Sequence, residues 1–251
     1  LLWDSPHNFK IACGSICKLY KKDLNSYIKI TKSIMSILNL TKVANVAFDT
    51  TYQKYWLARF LSSLCLGTLS VCVAWQIYDI SRNPLHLGLV GLTQFIPLVL
   101  LVVVTGYCAD NFNRKIIFSL CLFLEAFLTF LFVLINITGN PEIIVLFMIL
   151  IGIGIVRAFF SPAAAAFLPN IVDKKDLPDA VALSAVAWQS GTIFGPVLGG
   201  LLYGASVFLG YFFASIGLFI GAILVFIIPY NYLTKIKKPL SFENLTGGFS
   251  Y

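Results

Sequence analysis

From position 56 onward, long apolar runs alternate with short polar gaps. The runs are Trp56–Tyr78, Leu85–Tyr107, Ile116–Ile137, Ile143–Leu168, Ala180–Tyr203 and Val207–Pro229. Each reaches the roughly 20 residues that an α-helix needs to cross the hydrocarbon core of a bilayer. Their β-branched and aromatic content suits strands, but their length does not, and a closed barrel would show shorter segments of alternating polarity. The expected fold class is all-α membrane, with six transmembrane helices over residues 55–230.

Basic residues in the gaps orient these helices, because short loops rich in Lys and Arg stay on the cytoplasmic side. Arg114 and Lys115, Lys174 and Lys175, and Lys235, Lys237 and Lys238 follow the second, fourth and sixth runs, whereas the other gaps hold only Arg82. Both termini are therefore expected in the cytoplasm. Residues 1–54 carry eight lysines and no run long enough to cross. They read as a basic cytoplasmic tail, with an amphipathic helix around Tyr27–Leu40 and no signal-peptide pattern. The chain begins at Leu1 and its methionines are Met35 and Met148. Met35 is thus a candidate start, which would make residues 1–34 extraneous.

Composition agrees: 59% of residues are hydrophobic and 12% charged, with a mean hydropathy of +0.87, against about 25% charged for a soluble domain. The net charge of +7 does not point to nucleic acid, because the lysines sit in tails and interhelical gaps rather than on one face of a soluble module. Cys65, Cys72, Cys108 and Cys121 lie in or at the ends of apolar runs, where cysteine acts as a small hydrophobe. Cys13 and Cys17 have no second pair or histidine cluster and read as free thiols. No metal or cofactor is expected. An intramembrane enzyme would need a catalytic constellation at matched depth, and none appears: His7 is in the tail and His86 at a helix start.

Two motifs stand out. Gly106-Tyr-Cys-Ala-Asp110-Asn-Phe-Asn-Arg114-Lys115 occupies the gap after the second run, placing a glycine where helices crowd and basic residues where headgroups are anionic. The fifth run holds Gly191-Thr-Ile-Phe-Gly195-Pro196-Val-Leu-Gly199-Gly200, a face of small residues that admits a close neighbour, bent by a proline. A packing seam with no transport role would use the same residues.

Placed on these helices, the two motifs resemble signatures of the major facilitator superfamily. The resemblance extends through Tyr55-Trp-Leu-Ala-Arg59-Phe, Trp75-Gln76-Ile-Tyr-Asp and Arg157-Ala-Phe-Phe-Ser-Pro162-Ala. It is nearest the drug and siderophore exporter branch, including enterobactin-exporter-like and macrolide-efflux-like proteins, and covers about residues 55–250. The chain departs from the loop pattern at Asn111 and Asn113, where the family carries a basic residue and a glycine.

The resemblance implies alternating access by two six-helix halves. This chain would be the N-terminal half, itself a 3+3 inverted repeat, with residues 231–251 forming the cytoplasmic link to the second. That second half would come from the same longer chain, a separate chain or a homodimer. It also implies that Asp110 and the Gly195 face contact that half. Expected partners are membrane lipids, protons and a small amphipathic cargo such as a siderophore or drug, moved outward across the inner membrane of a bacterium. A truncated or split fragment without transport activity alone is the competing expectation.

Ionisable groups inside a span are costly unless paired or hydrated, by about 2.5–3.5 kcal/mol on insertion scales. Arg59 is near enough to the start of its run to snorkel to the headgroups, or else faces the cavity. Glu125 lies about nine residues in from the cytoplasmic end of the third run and Arg157 about eleven in from that of the fourth, so at 1.5 Å per residue their depths agree within roughly 3 Å. They are a candidate pair, either structural or working. In the working version Glu125 binds and releases a proton while Arg157 pairs with it in one conformation and withdraws in the other. Gln76 and Gln94 either face the cargo or join helices by hydrogen bonds.

Overall fold

A computed structural model describes residues 46–139 and 141–229. The expectations for the tail helix, Met35, Cys13 and Cys17, and for the link after position 229, lie outside the described residues. Six long helices follow one another: α1 (Thr50–Ser81), α2 (Pro84–Asn111), α3 (Arg114–Ile137), α4 (Ile143–Phe167), α5 (Leu177–Ala205) and α6 (Val207–Ile227), with a short 3₁₀ turn at Leu168–Asn170 after α4. All six are long and apolar enough to cross a membrane.

The helices outrun the apolar runs where polar caps begin them. The Asp49 carboxylate accepts from the Thr51 N–H at 2.9 Å, starting α1 six residues before Trp56. Asn83 accepts from the Leu85 N–H at 3.0 Å ahead of Pro84, and Asn113 accepts from the Lys115 N–H at 3.0 Å to start α3. Such caps satisfy first-turn donors that have no partner inside the helix. α1 closes on Arg82, held at φ 50° with its N–H on the Tyr78 carbonyl, so the chain turns into α2 within two residues.

The packing has an internal two-fold logic. α1 packs on α5 and α6; α4 packs on α2 and α3; α3 and α6 pack on each other. Exchanging the first three helices for the last three leaves this set unchanged, as an inverted 3+3 repeat requires. The two equivalent crossings even share chemistry. A Cβ on Gly67 of α1 would lie 2.9 Å from the Pro196 ring of α5, and one on Gly154 of α4 would lie 3.0 Å from the Gln94 backbone and 3.3 Å from the Pro97 ring of α2. Glycine against a proline bend brings each pair of helices together.

The core runs along α1, α3, α4 and α6. Tyr55, Phe118, Phe160 and Phe167 form a chain of rings at the end of the bundle where α1 begins, and Phe132 stacks on Tyr211 at 5.0 Å toward the other end. α2 and α5 bury far fewer of their side chains than the other four helices. Large apolar side chains such as Leu100, Leu201 and Phe226 stand outward. A soluble protein does not tolerate that density of exposed hydrocarbon; lipid is the solvent that suits it.

Candidate functional site

The charged centre is assembled by three helices. Gly154 of α4 has no side chain, so α2 comes close enough for its Gln94 backbone to touch that position. One turn later on the same face stands Arg157. Its Nη1 donates to Gln94 Oε1 at 2.6 Å and its Nε to Glu125 Oε1 of α3 at 3.0 Å. The structure thus brings together Glu125, Arg157 and Gln94, three of the candidates named from sequence.

Burial divides the pair unequally. The Glu125 side chain is fully enclosed, while that of Arg157 keeps 26% exposure. Glu125 Oε2 is buried with no hydrogen-bond partner among the described residues. A buried ion pair is favourable only when its remaining polar atoms are satisfied. Here Oε1 is satisfied and Oε2 is not, so Oε2 is the carboxylate oxygen left open. Gln94 also donates weakly back to its own helix, from Nε2 to the Val90 carbonyl at 3.4 Å.

Gln76 sits elsewhere, in a second polar knot near the far end of the bundle. It is 4% exposed; its Nε2 donates to Asn136 Oδ1 at 2.7 Å and its Oε1 accepts from the Tyr211 hydroxyl at 2.6 Å. Asn136 in turn donates to the Phe132 carbonyl at 2.7 Å. One glutamine therefore ties α1, α3 and α6 together. Sequence reasoning did not single out Asn136 or Tyr211, although an asparagine within an apolar run was a signal to follow.

Arg59 folds inward over aromatic rings, with its guanidinium carbon 4.5 Å from the Trp188 ring centroid and 5.6 Å from that of Phe160. In the loop motif, Gly106 and Asp110 fall in the last turns of α2. A Cβ on Gly106 would meet nothing within 4 Å, and the Asp110 side chain lies outside the described residues. Arg114 Nη1 donates to the Ala166 carbonyl at 3.1 Å, which also accepts from Asn170 Nδ2 at 2.7 Å, at the end of α4, where the helix dipole favours a cation. The Lys115 ammonium stands 5.4 Å from the Phe226 ring centroid.

The glycine seam departs from the expectation drawn from the family. Gly191, Gly195 and Gly199 close on α1 of the same bundle, not on a second half: a Cβ on Gly195 would lie 2.6 Å from the Leu64 carbonyl oxygen and 2.9 Å from the Gly67 Cα, and one on Gly199 would lie 2.8 Å from the Thr68 carbonyl oxygen. Gly200, on another face, would meet nothing. The physical reason is a ladder of α1 side chains that donate to α5 carbonyls. The Tyr52 hydroxyl reaches Ala180 at 2.8 Å, Trp56 Nε1 reaches Leu183 at 3.0 Å, and Thr68 Oγ1 reaches Gly195 at 3.1 Å. The bond from the short Thr68 side chain requires helix backbones in near contact, which Gly195 and Gly67 allow.

Comparison with known proteins places the chain. The profile of a family described as transmembrane secretion effector matches residues 43–251. The Uncharacterized MFS-type transporter YfiS of Bacillus subtilis (strain 168) is 27% identical over 164 residues, 64% of this chain and 38% of that protein. The Enterobactin exporter EntS of Salmonella typhimurium is 27% identical over 184 residues, 71% of this chain and 43% of that one. EntS of Escherichia coli O1:K1 / APEC is 28% identical over 206 residues, 80% of this chain and 48% of that one. The chain thus spans less than half the length of these relatives.

Proposed function

The chain belongs to the major facilitator superfamily, a family of multi-pass membrane transporters rather than enzymes, and from that premise we propose that it is the N-terminal half of a proton-coupled exporter. The cargo is a small amphipathic molecule such as a siderophore or drug; the name Enterobactin exporter, borne by the EntS relatives, supports an exported cargo. The membrane is that of a bacterial cell, with both termini cytoplasmic. The lysine and arginine pattern of the gaps supports that orientation.

The observation that carries the reading is the fully enclosed Glu125, bonded to Arg157 through one oxygen and unbonded at the other. In this proposal Oε2 takes a proton, the attraction between carboxylate and guanidinium falls away, and Arg157 turns toward the face from which it is already partly reached. Gln94 receives the guanidinium throughout. Discharge of the proton restores the pair. The loop residues Gly106, Asp110, Arg114 and Lys115 and the glycine-rich stretch of α5 serve the rocking motion, with Gly191, Gly195, Pro196 and Gly199 as a fixed hinge to α1 and Gly200 on another, open face. Gln76 serves as glue between helices.

A second six-helix half completes the transporter in this reading. The weak burial of α2 and α5 supports it, since helices that line an interface between halves have fewest neighbours within their own half. Without that half the bundle would insert and fold but move nothing. The test is export from everted vesicles carrying the complete transporter. Glu125→Gln should lose proton-driven accumulation and keep cargo-for-cargo exchange, whereas full proton-driven accumulation in that variant would sink the proposal.

A further inference from the structure

Arg59 is the intramembrane charge that the coupling scheme leaves unused. It stands nine residues into α1, roughly 13 Å along the helix, and three residues into the apolar run that begins at Trp56. Among the described residues, Arg157 meets a carboxylate and a carboxamide and Arg114 a carbonyl. Arg59 meets neither. Its Nε and Nη1 are buried and have no hydrogen-bond partner, and it joins no ion pair. Its neighbours are the faces of Trp188 and Phe160.

Ring faces attract a cation by their quadrupole, but they do not replace oxygen acceptors for five N–H donors. A guanidinium with two buried, unfilled donors calls for an anionic oxygen, and its flat fork matches a carboxylate or phosphate. The site is not sealed, because Arg59 and Trp188 are each only partly buried. The aromatic walls add an apolar surface beside the charge. Phe160 also follows Arg157 by three residues on α4, so the site adjoins the Glu125–Arg157 pair.

The geometry points to Arg59, Trp188 and Phe160 as a binding site for an anionic oxygen group, carboxylate or phosphate, borne on an apolar body. The group arrives either on the cargo or on a lipid headgroup. Only the cargo version rests on the export reading, where it narrows the cargo to acids; binding itself is read without transport.

Trp188 supplies the signal. The chain is placed in nanodiscs of zwitterionic lipid, and its tryptophan emission is followed during titration with benzoate and with the neutral analogue benzamide, the Trp188→Phe variant defining the Trp188 share. Benzoate should quench that share saturably and benzamide should not, a comparison that needs no Arg59 variant. Arg59→Gln should weaken benzoate binding by roughly tenfold or more, and Arg59→Lys should retain a measurable part because the charge remains. If the group is a lipid phosphate, adding phosphatidylglycerol should shift Trp188 emission in the presence of Arg59 and abolish the benzoate response. Equal responses to benzoate and benzamide overturn the assignment. So does the absence of any Arg59-dependent response to benzoate and to phosphatidylglycerol, an outcome that would leave the export reading standing.

Discussion

Replacing Gly195 by alanine adds one methyl group to the tightest crossing in the bundle. That methyl carbon would lie 2.6 Å from the Leu64 carbonyl oxygen, 2.9 Å from the Gly67 Cα and 3.2 Å from its carbonyl carbon. All three are backbone atoms, so no rotamer change relieves them and α1 must move away from α5. Overpacking of this kind costs typically about 1–3 kcal/mol, and the upper part of that range applies where the contact is backbone on backbone. Alanine regains up to about 1 kcal/mol of helix propensity, leaving a net loss of about 1–2 kcal/mol. Gly200→Ala is the control in the same helix: the added methyl meets nothing within 4 Å, so only the propensity gain of up to about 1 kcal/mol remains. The propensity gain is common to both variants, so unfolding by SDS in mixed micelles, followed by far-ultraviolet circular dichroism, should separate them by the overpacking cost, about 2–3 kcal/mol. Equal midpoints would refute the close approach of α1 and α5.

Three further outcomes follow from named contacts. Arg157→Leu strands an enclosed carboxylate and should destabilise the bundle by about 3–5 kcal/mol, while Glu125→Leu with Arg157→Leu should recover most of that loss in the same SDS titration. Gln76→Leu leaves the Tyr211 hydroxyl and the Asn136 carboxamide without their partner and should cost about 1–3 kcal/mol; adding Tyr211→Phe should return part of it, measured as a double-mutant cycle. Asn113→Ala removes the cap of α3 and should cost about 1 kcal/mol, whereas Asn113→Gly should cost only a few tenths, read by hydrogen exchange at the Lys115 amide.

The six spans were legible because hydrocarbon thickness imposes a length that no soluble element shares. Their ends were not. Thr50 through Gln53 are polar by hydropathy yet helical, because Asp49 caps them and Tyr52 reaches across to Ala180. Depth along a helix can be counted from the basic gaps, so Glu125 and Arg157 could be set at one level from sequence. Direction around a helix cannot be counted that way, and so the inward turn of Arg59 over Trp188 and the tie from Gln76 to Asn136 emerge only with the packing. Spacing of the glycines gave a face but not its neighbour. The neighbour is chosen by the hydroxyl and indole donors of α1, which lie 124 to 129 residues away in sequence from the groups they meet on α5. Asn113, a departure from the family pattern, is accounted for locally by its cap.

Proton exchange at Glu125 is the step on which coupling turns, and infrared difference spectroscopy of the membrane-embedded chain reads it directly. Spectra taken at stepped pH are compared between wild type and Glu125→Gln, with glutamate carboxyl carbons isotopically labelled to mark the band. A carboxylic-acid stretch should grow as pH falls and fade as it rises, shift with the label and be missing from Glu125→Gln. A Glu125 band that stays constant across the whole range in which the fold survives would contradict that step.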